Sequence, residues 1–233
     1  FRSAPQFQNQ VAVVNGKKAG SDINLYKLFV EQCYNLLRDG GLCGIIVPSG
    51  IYTDLGAKQL REMLFSGAEI AALYGLSNER YIFANVHHGF KVALLVFAKS
   101  GETHRFEAAF RINPREAVAP DQLATFLADE NEHVWLSVPL IRRLSPDSLS
   151  VMEFKTDLDV QIAEKMLRFP LLGEQIEGAW NLKLSTEFHM TADSHLFRTE
   201  PGPGCLPLYE GKMIQQFDAH FAAPRYWVDE RKG

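Results

Sequence analysis

Phe83, the adjacent pair His87 and His88, and Lys91 lie within nine residues of one another. They offer a ring that can stack or pack, imidazoles that can carry protons and an ammonium that can meet an anion. Two neighbouring histidines with no Asp, Glu or Cys within five residues make a poor metal site, because metals are held by several convergent ligands. The pair reads instead as loop packing or a phosphate contact, and no metal site is expected. Lys91 reads either as a backbone-phosphate ligand or as a strand-end charge with its stem buried. Cys33, Cys43 and Cys205 lack the spacing of a metal knuckle or a redox dithiol and are expected to be buried small hydrophobes in a reducing compartment.

The elements that must position these residues alternate. Val11 to Val14 reads as a short strand ended by Asn15-Gly16. Ser21 or Asp22 is expected to cap a helix in which Tyr26, Phe29, Val30, Cys33, Leu36 and Leu37 recur at helical spacing, with Phe29 on the same face as Tyr26 and Val30, stopped by Gly40-Gly41. Leu42 to Val47 carries no polar side chain and reads as a strand buried on both faces, implying a parallel sheet. Asp54 can cap a helix through Leu55, Leu60, Met63 and Leu64 that Gly67 ends. Glu69 to Tyr74 reads as a strand, Gly75 to Gly89 as a loop, and Phe90 to Ala98 as another strand. Weaker signals follow: a strand at Arg105 to Ile112, a helix at Pro120 to Leu127 and an amphipathic helix at Asp157 to Arg168. From about Gly173 the composition shifts toward Trp, Phe, His, Thr, Gly and Pro, which marks a domain boundary near 170 to 180. Helix, strand, helix, strand, loop, strand is half of a doubly wound α/β fold, whose ligands sit at the carboxyl ends of the strands.

Composition bounds the rest. With 46% hydrophobic and 22% charged residues over 233 positions, the chain is an ordinary globular sequence rather than a disordered one. Its longest apolar run, Val92 to Ala98, falls far short of the roughly eighteen residues of a membrane helix, so no membrane partner is expected. The net charge of −4 argues against binding nucleic acid by electrostatics alone. That average conceals a first hundred residues with ten Lys/Arg against seven Asp/Glu.

Three segments together resemble the adenine-N6 DNA methyltransferases of the gamma class, in particular the large fused enzymes of type II restriction-modification systems. Asn24-Leu25-Tyr26-Lys27-Leu28-Phe29, followed by Leu36 to Pro48 (LLRDGGLCGIIVP), is similar to the helix and strand just after that family's catalytic tetrapeptide. Ile82-Phe83-Ala84, His87-His88 and Phe90 to Leu95 resemble its next block, with Ala84 where the family commonly has Pro. Phe188 to Phe197, leading to Pro207-Leu208-Tyr209-Glu210-Gly211-Lys212-Met213-Ile214, resembles the entry to the target-recognition region and is the most specific of the three. The family's Gly-rich methionine-binding loop and its Asn/Asp-Pro-Pro-aromatic tetrapeptide are absent, and no Pro-Pro dipeptide occurs. With Phe1 as first residue, the expectation is a fragment beginning just after the tetrapeptide and inactive by itself.

The resemblance implies an α/β fold: the C-terminal half of a Rossmann-like class I methyltransferase fold (residues 1–118), a connecting helical segment (119–172) and the start of a target-recognition, DNA-binding domain (173–233). It implies S-adenosyl-L-methionine as cofactor, double-stranded DNA and the upstream catalytic half of the same protein as partners, and the cytoplasm of a prokaryote as location. Phe83 would stack on a flipped adenine, with loop packing as the alternative. Phe29 would lie against the cofactor's adenine ring, or be core. Asn24 and Leu25, at the helix start, would border the cofactor, with helix capping as the alternative for Asn24, and by position alone the loop Pro48-Ser49-Gly50 lies at the ligand-binding edge of such a sheet. Lys91, Tyr209 and Lys212 would contact DNA, although residues 205–233 hold four Lys/Arg and four Asp/Glu and so form no basic stripe. A DNA-binding specificity module or pseudo-enzyme without transfer, or a methyltransferase acting on RNA or protein, are the alternative readings.

Overall fold

Asn15 and Gly16 take left-handed backbone angles (φ 50° and 74°), the pair a tight hairpin turn requires. The turn joins β1 (Val13–Val14) to β2 (Lys17–Lys18). The computed structural model describes residues 4–19, 23–79, 83–112, 120–178, 181–182, 185–218 and 220–231. The expected cap at Ser21 or Asp22 lies outside these residues. The chain divides into two compact units, residues 1–170 and 171–233.

In the first unit, α1 (Leu25–Leu36) starts at Asn24, whose side chain accepts from the Tyr26 amide at 3.3 Å, the helix-capping role. Tyr26 and Val30, one turn apart, enter the core, but Phe29 does not share their face: it is 61% exposed. The 100° step per residue turns it toward the flank that carries Leu25. Glu31, buried on α1, accepts from the amides of Gln8 and Asn9 at 2.8 and 2.9 Å and so fastens the preceding segment to the helix. After β3 (Leu42–Pro48), the helix expected from Asp54 is divided into α2 (Gly50–Thr53), a 3-10 turn at Leu55–Ala57 and α3 (Lys58–Gly67), and Asp54 makes no capping bond.

The sheet then runs through β4 (Glu69–Ser77), β5 (Lys91–Ala98) and β6 (Arg105–Ile112). After α4 (Pro120–Ala128) come β7 (Val134–Ser137), α5 (Val138–Leu144) and α6 (Asp157–Met166). The strand order is β3-β5-β4-β6-β7. Only β4 and β6 pair in parallel; the other three pairings are antiparallel, so the sheet is mixed rather than parallel. The reason is visible in the connection: β4 returns to β5 through a loop, and parallel neighbours need a crossover, usually a helix. The stretch expected as a helical connector contributes β7 to this sheet.

One sheet face carries the main core, including Val47, Leu73, Leu95, Phe97, Phe106 and Leu136, against α1, α3, α5 and α6. A bulge at Ala71 lets Ile70 and Leu73 face the same way although they are three residues apart. The other face is covered by Phe126 and Leu127 of α4 over Tyr74, Leu76 and Ala109. Edge strand β3 is not buried on both faces, since Leu42 and Ile46 are 73% and 55% exposed.

In the second unit, β8 (Cys205–Leu208) pairs antiparallel with β9 (Tyr226–Asp229). Phe188, Phe197 and Tyr226 form a chain of ring contacts 5.8 and 5.9 Å apart, and Met213 and Val228 are buried. The three cysteines are free and half-buried rather than fully buried, Cys43 packing against the edge of the main core. Cys33 and Cys43 touch one another across α1 and β3, and burial with this neighbour pushes the Cys43 thiol up to about 11.

Candidate functional site

The carboxyl end of β3 meets the start of β5, and the Ser49 amide donates to the Lys91 carbonyl at 3.1 Å. There a cleft of about 670 Å³ opens, lined by Asn24 and Tyr26 of α1, Pro48, Ser49 and Gly50 after β3, Asp54, and His87, Gly89, Phe90 and Lys91. Gly50 lies where the Tyr26 hydroxyl and the Asp54 carboxylate converge, and a Cβ there would force these side-chain ends to shift. Burial and the Asp54 charge push the Tyr26 hydroxyl up to about 12, so at neutral pH it is a neutral group able to donate. Behind it Arg61, 2% exposed, donates to the carbonyls of Ile51, Asp54 and Ser148 and locks α2 to α3; burial lowers it to about 10, still charged at neutral pH.

Lys91 is committed within the protein. Its Nζ lies 3.0 and 3.1 Å from the two Glu153 oxygens, and the Tyr52 hydroxyl donates to the same carboxylate at 2.9 Å. Burial and the adjacent Glu153 charge raise the Tyr52 hydroxyl far above its ordinary range. A phosphate would have to compete with Glu153 for Lys91. His87 Nδ1 accepts from the Gly89 amide at 3.1 Å, and its ring lies 4.4 Å from that of His88. Among the described residues no group of three His, Cys, Asp or Glu could hold a metal ion.

The structure therefore brings together Asn24, Pro48 and Lys91 of the residues singled out from sequence. Leu25 and Phe29, one turn apart and 65% and 61% exposed, form an apolar strip on the α1 flank without lining the cleft. Phe83 is half-buried in the β4–β5 loop, also off the lining, where the aromatic is Phe90, 55% exposed. Ile82 lies outside the described residues. In the second unit Tyr209 is exposed, whereas Lys212 pairs with Glu210 at 3.0 Å. The whole loop Pro48-Ser49-Gly50 lines the cleft, whereas Tyr26 and Asp54 are not singled out as site residues by the sequence. The glycine following Pro-Ser at a strand end was their available signal.

Six of the ten lining residues, from Asn24 to Asp54, come from one continuous early part of the chain. Residues 5–83 match the Eco57I restriction-modification methylase family. Most of the cleft wall thus lies in the Eco57I-like segment, while His87 to Lys91 follow it directly. None of the curated proteins matches the chain. Among solved structures, it is similar to the type I restriction-modification methyltransferase subunit from Streptococcus thermophilus at 16% identity and TM-score 0.46, covering 62% of this chain and 32% of that one. Similarity to the M protein of the type I restriction enzyme EcoKI is at 15% identity and TM-score 0.44, covering 64% and 44%. The type IIG restriction endonuclease BpuSI aligns at 15% identity and TM-score 0.39, covering 66% and 19%. The chain spans less than half the length of each. Among the described residues no helix is long and apolar enough to cross a membrane.

Proposed function

We propose that this chain is part of a site-specific, S-adenosyl-L-methionine-dependent adenine-N6 DNA methyltransferase of a restriction-modification system. The observation that carries the reading is the cleft at the carboxyl end of β3, walled mostly by the segment that matches the restriction-modification methylase family. Extruding an adenine from a duplex costs a few kcal/mol, and stacking on an aromatic returns about 1–3 kcal/mol per base. Phe83 is the proposed stacking residue, on the loop that borders the cleft.

The residues present fit one part of the cofactor. The exposed Leu25–Phe29 strip offers an apolar surface to an adenine ring, and Asn24 and Pro48 border the cleft beside it. When bound, S-adenosyl-L-methionine supplies an electrophilic methyl group on its sulfonium. In this reading the upstream catalytic half of the same polypeptide covers the open edge of β3 and its exposed Leu42 and Ile46, and the chain alone is inactive. Lys91, Tyr209 and Lys212 are the proposed DNA contacts. Tyr209 carries the most weight, because both lysines are already paired with glutamates. The reaction belongs to the cytoplasm of a prokaryote.

The test is methyl transfer from labelled S-adenosyl-L-methionine by the full-length protein to duplex DNA, RNA and protein, with the methylated nucleoside identified after digestion. N6-methyladenine from duplex DNA is expected; label in RNA or protein alone, or in none of them, overturns the reading. Phe83→Ala should lower turnover while cofactor affinity holds, and Phe29→Ala should weaken cofactor binding more than DNA binding.

A further inference from the structure

Asn78 ends the run of β4 and is 0% exposed. Its Oδ1 accepts from the Phe83 amide at 2.9 Å. Its Nδ2 donates to the carbonyls of Val86 at 2.8 Å and Phe83 at 3.2 Å, and lies 3.5 Å from that of His87. Its backbone amide donates to the Phe90 carbonyl at 3.1 Å. One carboxamide offers two donors and an acceptor; here all of these bonds fall on the loop that joins β4 to β5. Both the amide and the carbonyl of Phe83 are held by this single side chain.

The loop needs such a clamp. It lacks regular secondary structure between Asn78 and Phe90 among the described residues, and Ala84 gives it none of the stiffness a proline would. Among the described residues its other backbone–backbone bonds are short-range turns, Val86 to Phe83 and Phe90 to His87, each 3.0 Å. Next to Asn78, Ser77 pairs with Lys91 in the β4–β5 ladder, and the Glu79 amide donates to the Ser77 hydroxyl at 3.3 Å. Among the described residues, the Asn78 side chain is what bonds the Phe83–His87 backbone to the end of β4.

We propose that Asn78 is a positioning residue: by clamping the Phe83 backbone and the Val86–His87 carbonyls, it fixes the direction in which Phe83 meets an extruded base and seats His87 at the cleft. The inference rests on Phe83 as the stacking residue in the reading above. Asp in its place keeps the size and the acceptor for the Phe83 amide but sets a carboxylate against carbonyl oxygens, whereas Ala removes both halves of the clamp.

The test uses the full-length protein with Asn78→Asp, Asn78→Ala, Phe83→Ala and the double variant Asn78→Ala/Phe83→Ala. Misplacing a reacting group by about an ångström can cost about a hundredfold in rate. Asn78→Asp should accordingly lower kcat by between about tenfold and a hundredfold with cofactor Kd unchanged. With 2-aminopurine at the target position, Asn78→Asp should give brighter emission than the parent, from a base that is extruded but unstacked. The double variant should turn over no more slowly than Phe83→Ala alone, because the clamp acts through that ring. If Asn78→Ala does not fold, amide exchange at Val86, which donates to the Phe83 carbonyl that a carboxylate would repel, is read in folded Asn78→Asp instead, with faster exchange expected and unchanged exchange overturning the clamp. Unchanged kcat in Asn78→Asp, or losses that simply multiply in the double variant, would overturn the positioning role while leaving methyl transfer intact. Absence of transfer by the parent protein would overturn instead the functional reading on which the role rests.

Discussion

The two faces of the central sheet carry similarly apolar sequence and meet very different surroundings. On one, Cys43, Ile45 and Val47 of β3 continue into Leu95 and Phe97 of β5 and Phe106 of β6, under four helices. On the other, α4 covers only the part around Tyr74, and Leu42 and Ile46 at the β3 end stand in solvent. Apolar area removed from water contributes about 25 cal/mol per Å², so the first face stabilises the unit and the second contributes little until something covers it.

The largest expected effect is on the packed face. Phe106→Ala, at 1% exposure, should cost about 3–5 kcal/mol, read as a lowered urea midpoint; a loss under about 1 kcal/mol would mean the face is not the core. Next is Arg61→Ala, which leaves the Ile51, Asp54 and Ser148 carbonyls without their donor and should cost about 3 kcal/mol, since each buried acceptor left bare costs about 1–3. Thermal unfolding of this variant should also show loss of the cleft floor as reduced protection of the α2 amides.

A smaller effect belongs to the surface pair Arg142–Glu62, bonded through both guanidinium nitrogens at 2.8 and 2.6 Å. Arg142 holds the Glu62 carboxyl below its ordinary value, so the pair's contribution is present above about pH 4.3 and fades as pH falls through the lowered value. Arg142→Ala should destabilise by up to about 1 kcal/mol at pH 7, screened by salt, and the gap to the parent protein should close in acid. A gap that widens in acid would reverse that sign. Smallest is Ile46→Ser on the open face, within about 0.5 kcal/mol in this chain alone, as for surface positions generally. A loss in the full-length protein several times that in the isolated chain would measure what covers the face.

Elements with a clear period were legible in the sequence. Tyr26, Val30 and Leu37 marked α1, the run at Val92 to Phe97 marked β5, and the spacing over Asp157 to Arg168 marked α6. The four residues of β7 were not, because Val134-Trp135-Leu136-Ser137 is too short to show alternation and runs straight into a helix with Pro139 in its first turn. At the cleft, Asn24 and Pro48 could be placed from their positions at a helix start and a strand end. Phe29 was assigned to the wrong face because Tyr26, Phe29 and Val30 share a helical spacing that does not say where the inward face ends. Nothing in the sequence distinguishes Asn78, since a single amide at a strand end gives no sign that it reaches five to nine residues ahead.

The sequence by itself determined the local conformations: which residues form helices and strands, where Asn15-Gly16 and Pro48-Ser49-Gly50 break them, and which residue types cluster near the strand ends. Those follow from backbone preferences and side-chain period, which act over a few residues. Tertiary structure alone decided that the sheet is mixed, that one face of β3 stays open, that Tyr26 and Asp54 meet over Gly50, and that both lysines named for phosphate are already paired. Each of these depends on groups distant in the chain competing for the same space or charge, and that competition is settled only when the elements pack.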